Sequence, residues 1–428
     1  MTTADGLIKQ VRTADATVTV VAGGAPLANR QVTVAQRSHK FLFGCIGFDM
    51  IRLANGEPAV PQSGAGGGVG SLGEAPAAQA EHLAGLWLEL FNFATLPFYW
   101  GRFERERGHP DTARLRNAAQ WFVDRDVPVK GHPLCWHTVQ PDWLLPLSNA
   151  EIEAAQRART RREMTDFRGL VDTWDAINEA VIMPIFDKYD NGLTRICLAN
   201  GRIATVRMAF ESAREANPSA TLVLNDFDMS AAFECLIEGV LEAGIKIDVL
   251  GLQSHMHQGY WGEEKTLRII ERFARYGLPI HFTESTLVSG HLMPTEIKDL
   301  NDYKASEWPT TPEGEARQAE EMVRHYKTLL SHPAVEASTY WGLSDGGWLG
   351  APSGLVRLDG SPKPSFEALR GLIKGEWWLP PTEMATDAEG RLRFNGFLGE
   401  YEVSAGERRA AFKLEKNGPA AVEVRLAE

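Results

Sequence analysis

Thr173-Trp174-Asp175-Ala176-Ile177-Asn178 is a short, largely apolar run that ends in an amide and is followed at once by Glu179. A strand buried on both faces reads this way, because neither side needs polar residues. The same form returns at Ile280-His281-Phe282-Thr283-Glu284. Working outward from these two, strands are predicted over 41–47, 91–99, 129–137, Thr221–Asp226, 249–255 and 337–343, with amphipathic helical stretches between them. Eight short strands alternating with helices predict an α/β protein, a closed parallel (β/α)8 TIM barrel over residues 38–374. The polar residues gather at the C-terminal ends of the strands, where active sites of such barrels lie.

The flanks have a different grain. Residues 16–21 and 31–35 alternate apolar and polar side chains around Gly23-Gly24-Ala25-Pro26, a hairpin signature. Past residue 380, stretches 391–394, 399–403, 410–414 and 422–426 read as short strands separated by Gly and Asn turns. Neither piece alone has enough strands to bury two faces. Residues 1–37 and 380–428 are therefore expected to form one small accessory β-sandwich-like module, split in sequence around the barrel. Residues 56–80 are rich in Gly and read as a surface loop that follows the first strand and stands where it could overhang the barrel mouth.

With 428 residues, the chain has room for a barrel and an accessory piece, and 44% hydrophobic against 23% charged residues is an ordinary globular balance. The formal net charge of −12 repels phosphate backbones, so no nucleic-acid partner is expected. No run has the length of a membrane helix, and no membrane partner is expected. The four cysteines, Cys45, Cys135, Cys197 and Cys235, show neither CxxC nor zinc spacing, and Cys45 and Cys135 read as small core residues. Met1-Thr2-Thr3-Ala4-Asp5 lacks the basic and apolar parts of a signal peptide. That suits a cytoplasmic protein if this is the native start, and a secreted or periplasmic one if a signal has been removed.

Glu179 and Glu284 are the candidate catalytic residues. A carboxyl at a strand end, half enclosed by aromatic groups, has its neutral form favoured, which a general acid needs. Retaining glycosidases pair such an acid with a second carboxyl ~5–5.5 Å away. Two Glu residues ending the fourth and seventh strands can face one another across the mouth. Gly131-His132-Pro133-Leu134-Cys135-Trp136-His137 adds an imidazole and an indole; alternation puts His132, Leu134 and Trp136 on one face. Gly251-Leu252-Gln253-Ser254-His255-Met256-His257 places Gln253, His255 and His257 likewise. His-x-His can bind a metal, but no complementary ligand set accompanies it. A His beside the nucleophile is the better reading, and no metal or organic cofactor is expected.

These motifs, in this order, resemble glycoside hydrolase family 10, the endo-β-1,4-xylanase family. Asn225-Asp226-Phe227, Tyr340-Trp341-Gly342-Leu343-Ser344-Asp345 and Pro362-Lys363-Pro364-Ser365-Phe366-Glu367-Ala368-Leu369 extend the likeness over the whole barrel. The resemblance implies Glu179 as acid/base and Glu284 as nucleophile, with Asn178 donating to the sugar beside the scissile bond. It also implies His132, Trp136, Gln253, His255 and Trp341 as subsite residues, with an oligo- or polysaccharide as substrate. One departure stands out. The family's second strand usually ends in Glu-Asn-x-x-Lys, which holds sugars on the non-reducing side; here it reads Thr95-Leu96-Pro97-Phe98-Tyr99-Trp100. Trp100 and Arg102 are the expected replacement contacts. The leading expectation is thus a retaining glycosidase acting on xylan or a related plant glycan. The alternatives are a glycosidase for a different glycone or for terminal sugars, and a non-catalytic carbohydrate-binding protein.

Overall fold

The computed structural model describes residues 3–57 and 77–426. Most of the Gly-rich stretch 56–80 lies outside them. Eight parallel strands close a barrel: Leu42–Ile46, Phe93–Pro97, Val129–His132, Thr173–Asn178, Thr221–Asp226, Val249–Leu252, Ile280–Leu287 and Val335–Tyr340. They are called barrel strands one to eight below. The ring closes where Tyr340 pairs with Cys45. Every residue of strand seven is buried, as expected of a strand covered by side chains inside and helices outside.

The surrounding helices are set by end signals and one apolar face. Pro312–Leu330 is an example: the Thr311 side chain accepts from the Gly314 N–H, and Pro312 sits where no intrahelical N–H is needed. Its inward residues Met322, Tyr326 and Leu329 are fully buried in the barrel's main core. Truncating Leu329 to Ala would cost about 2–5 kcal/mol. Cys45, Cys135 and Cys197 are buried free thiols, and Cys235 is exposed. Among the described residues no helix is long and apolar enough to cross a membrane.

Strand three is shorter than its sequence suggests. It stops at His132, because Pro133 has no N–H to continue the ladder. Leu134 then turns away into the core, fully buried, so it does not share a face with His132 and Trp136.

The two chain ends build a pair of four-stranded sheets. In one, Thr13–Ala22 lies between Arg391–Phe397, antiparallel, and Gly418–Leu426, parallel. In the other, Gln31–His39 lies between Thr382–Ala385 and Gly399–Ala405, with Arg408–Leu414 outside. The hairpin expected between the two N-terminal strands forms only at its tip: Ala25–Pro26, the fourth strand of the first sheet, pairs antiparallel with Val21 and Ala22 around Gly23-Gly24, but Gln31–His39 leaves for the other sheet. Each long strand places its alternate apolar residues inward from a different sheet, and the turn between them carries the chain across the core. Val18, Val20, Val32, Val34, Tyr401 and Phe412 fill that core. Thr382–Ala385 was not foreseen; its burial alternates only between partial and exposed, so it carries no apolar signal.

This β module meets the barrel at the ends of the strands remote from the mouth. The helix Ala4–Arg12 precedes it, and the Arg12 guanidinium donates to the carbonyls of Leu330 (2.9 Å), His332 (2.6 Å) and Val335 (2.6 Å), where strand eight begins. His39 Nε2 lies 2.8 Å from the Ile373 carbonyl. Burial draws the Arg12 pKa down to about 10.

Candidate active site

A cleft of about 420 Å³ opens at the C-terminal ends of the barrel strands and holds Glu179 and Glu284. His132, Trp136, Asn178, Gln253, His255 and Trp341 all line it, so six of the expected substrate contacts come together. Trp100 and Arg102 do not. Strand two ends at Pro97, and a one-turn helix, Trp100–Phe103, follows and swings both residues outward. Trp100 is buried beneath the Arg159 guanidinium, and its Nε1 donates to Glu104 at 3.0 Å. Arg102 lines a separate surface depression with Phe103, Glu106 and His109. The second-strand residue that does reach the cleft is Tyr99.

Glu179 follows strand four with φ +58°, a left-handed conformation that non-glycine residues seldom adopt. Such a backbone costs on the order of 1–3 kcal/mol and is held only when its surroundings fix it. Here the Glu179 N–H donates to the Asn225 carbonyl at 2.8 Å. Its carboxyl is gripped from above and beside: Trp136 Nε1 donates to Oε2 at 2.7 Å, while Asn178 Nδ2 and Gln253 Nε2 each approach Oε1 at 3.2 Å. Burial and the nearby charges of Glu284 and Asp226 push its pKa up to about 8 despite the Trp136 bond. It is therefore protonated at neutral pH.

Glu284 has the opposite character. Burial would raise its pKa, but the positive charge of His132, the His255 hydrogen bond and the Lys130 ammonium outweigh burial and hold it below the usual carboxylate range. His255 Nε2 lies 3.0 Å from Oε2, and Asn225 Nδ2 donates to Oε1 at 3.0 Å. Asn225 also donates to Asn178 Oδ1 at 2.7 Å, so one amide links the surroundings of both carboxyls. Its own Oδ1 accepts from Thr283 at 2.6 Å, which fixes the amide orientation.

Under the cleft lies a fully buried charge cluster. Asp175 Oδ2 accepts from Lys130 Nζ at 2.9 Å and sits 2.7 Å from His132 Nδ1. The coulombic pull of Lys130 and the His132 hydrogen bond overcome burial and keep Asp175 ionised. The cluster orients His132 and leaves its other ring nitrogen for the cleft. His257 is buried away from the cleft; its Nδ1 is 3.2 Å from Thr286 Oγ1, while His255 is committed to Glu284. Among the described residues, no group of three or more His, Cys, Asp or Glu side chains is placed to hold a metal ion.

Aromatic rings supply the walls. The Trp341 ring meets His132 and Phe48 edge-on at 5.1 and 5.9 Å, and Trp348 covers His255 at 4.2 Å. Asn225, Lys130, Asp175, Tyr99 and Trp348 are site residues that sequence reasoning did not single out. Asn225, Asp175 and Tyr99 stood inside quoted stretches, Asn225 next to the end of its strand and Asp175 in the middle of its own.

The description "Glycosyl hydrolase family 10" belongs to the family model that matches residues 97–371. That is well over half of the chain and contains all eight of these site residues from His132 to Trp341. The chain belongs to glycosyl hydrolase family 10. It is a retaining glycoside hydrolase. Endo-1,4-beta-xylanase B of Thermotoga neapolitana is 27% identical over 292 residues, covering 64% of this chain and 78% of that protein. The endo-1,4-beta-xylanase/feruloyl esterase of Xylanibacter ruminicola is 25% identical over 323 residues; the match spans 66% of this chain but 41% of that longer protein. The crystal structure of xylanase 10B from Thermotoga petrophila in complex with xylobiose superposes with a TM-score of 0.61 at 20% identity. That likeness covers 79% of this chain and 95% of the other, and it speaks for the fold. The family 10 barrel thus accounts for the middle of the chain.

Proposed function

We propose that this family 10 enzyme cleaves β-1,4 bonds in xylan or a related plant glycan, with Glu284 as nucleophile and Glu179 as acid/base. The observation that carries this reading is the opposite tuning of two carboxyls in one cleft. Glu179 keeps its proton to about pH 8, and Glu284 is held anionic by His132, His255 and Lys130 against burial. Pairs pushed apart in this way divide acid and nucleophile roles.

In the first step, a Glu284 carboxylate oxygen bonds to the anomeric carbon as the bond to the leaving oxygen breaks. The Glu179 proton passes to that oxygen, and the leaving sugar departs neutral. In the second step, Glu179, now ionised, takes a proton from water; the water oxygen bonds to the anomeric carbon and Glu284 is released. Asn178, held by Asn225 and Gln253, stands beside the acid to bind a sugar hydroxyl. The test is incubation with xylan and with aryl β-xylosides, following the first-formed anomer by proton NMR. Release of the retained anomer, lost in Glu284→Gln, supports the assignment. Turnover that survives in Glu284→Gln overturns it.

A different or shortened glycone is the second reading, favoured by one feature. Tyr99 and Phe48 pack edge to face at 6.3 Å on the side of the cleft where the family's second strand carries its Lys and Glu-Asn pair. Apolar and aromatic groups do not replace those hydrogen bonds.

A further inference from the structure

Asp49 is a carboxyl without an evident structural purpose. It follows strand one and precedes the short helix Met50–Asn55, yet its side chain makes no capping bond to that helix. Among the described residues it has no hydrogen bond and no ion pair, and burial alone pushes its pKa up to about 7. It lines the same cleft as Glu284. Ser344, just past strand eight, also lines that cleft, and its Oγ is buried without a partner. Strands one and eight are neighbours, paired through Tyr340 and Cys45, so their ends emerge side by side. The adjacent Asp345 is different: its Oδ1 accepts from Lys363 at 2.5 Å and from the Gly354 N–H at 2.9 Å. Asp49 and Ser344 thus bring uncommitted polar atoms to this arm of the cleft, where Gln79, also in the lining, spends its Nε2 on the Leu358 carbonyl at 3.0 Å.

A buried polar group without a partner is costly, and native proteins seldom keep one; Ser344 Oγ is such a group, whereas the Asp49 carboxyl is half-buried and open to the cleft. The surrounding wall is apolar, with Ile46, Phe48, Leu83 and Leu358. A ligand entering here must bring hydrogen-bond donors on an otherwise compact body. Sugar hydroxyls do so, and a carboxylate accepts from two of them at once. The direction of the substrate follows from the acid. With Glu179 as the acid, the leaving sugar would sit beside it, where Ile182 and Phe186 line the cleft, and the sugars on the other side of the scissile bond would face the lining supplied by strands one, two and eight.

We propose that Asp49, with Ser344, forms a subsite at the ends of strands one and eight that binds the hydroxyls of the sugar next beyond the cleaved unit on the non-reducing side. The proposal rests on the glycosidase reading above, and it moves non-reducing-side recognition from the second strand, where Leu96 and Tyr99 stand, to the first and eighth.

The test compares aryl β-xyloside with aryl β-xylobioside, which differ by that one sugar, in wild type, Asp49→Asn, Asp49→Ala and Ser344→Ala. Asp49→Ala is expected to lower kcat/KM on the xylobioside roughly 10–100-fold more than on the xyloside, mainly through KM, as for loss of a hydrogen bond to a charged group. Asp49→Asn, nearly isosteric, should show a smaller loss in the same sense, with a Tm no lower than wild type. Ser344→Ala provides the same comparison if Asp49→Ala does not fold. Equal losses on both substrates, or none on either, overturn the subsite. A wild type that turns over neither substrate nor any other β-glycoside overturns the glycosidase reading as well, so the two failures are told apart.

Discussion

The indole Nε1 of Trp136 and the carboxyl Oε2 of Glu179 are joined by a 2.7 Å hydrogen bond across the cleft mouth. The donor stabilises the ionised form of Glu179 and so opposes the burial that raises its pKa. Trp136→Phe keeps a ring but removes the donor. Glu179 should then hold its proton to higher pH, and the alkaline limb of kcat/KM should move upward. A limb that stays put or moves down would show that this bond does not tune the acid.

The charge of Glu284 raises the pKa of Glu179. Glu284→Gln removes that charge at nearly constant volume. Carbon NMR titration of Glu179 should give a lower pKa in this variant than in wild type, even though turnover is abolished. An unchanged titration would mean that burial alone sets the acid.

Protonation is needed most by poor leaving groups. Glu179→Ala should therefore slow an unactivated oligosaccharide far more than an aryl glycoside with an acidic phenol. Equal losses on both would remove Glu179 from the acid role.

Glu179 and Asp226 have folded pKa values of about 8 and 7, both raised first by burial. Between the ordinary carboxylate range and these values, the folded protein holds protons that the unfolded chain has released. Raising the pH through that window favours unfolding, so this contribution to stability is full in acid and is lost towards pH 8. Below that, the buried neutral His39, His137, His257, His281 and His325 act in the opposite sense, so the fall is expected above the histidine range: Tm should fall as pH rises from about 7 to about 9, and Glu179→Gln should flatten the slope. A Tm that rises across the same range in wild type would contradict the assignment.

Linear xylo-oligosaccharides test the substrate. A site whose second strand lacks the family's polar triad should gain kcat/KM when the first sugar is added on the non-reducing side, and little from later ones. Activity on unsubstituted xylan should accordingly be weak for the family, since lost hydrogen bonds to a hydroxyl can cost a factor on the order of 10⁴ in discrimination. A value that climbs steeply with each added sugar would show that further subsites exist after all.

Much of this was legible because barrel chemistry is local in sequence. Glu179 and Glu284 each end an apolar strand, so strand pattern and catalytic candidate were read from the same few residues. What escaped depends on pairing or on a change of direction. Asn225 matters because it spans Asn178 and Glu284, and Lys130 because it meets Asp175 on the neighbouring strand; neither relation is visible in a single run. Trp100 was misread because extended alternation was carried past Pro97, whereas a helical turn begins at Trp100 itself. The N-terminal hairpin stops at its tip for a related reason: alternation shows that a strand has an inner face, but not which strand lies beside it.

The two flanking strands Thr13–Ala22 and Gly418–Leu426 run side by side in the same direction, paired from Ala14 with Gly418 to Ala22 with Leu426. A pull entering at Thr13 and leaving at Leu426 would act along the strands and load the whole ladder in shear, instead of peeling one bond after another. Arg12, anchored on three carbonyls of the barrel floor, lies directly behind the first strand. Tension between Thr13 and Leu426 would thus pass through the β module's ladder and bypass the barrel that lies between them in sequence.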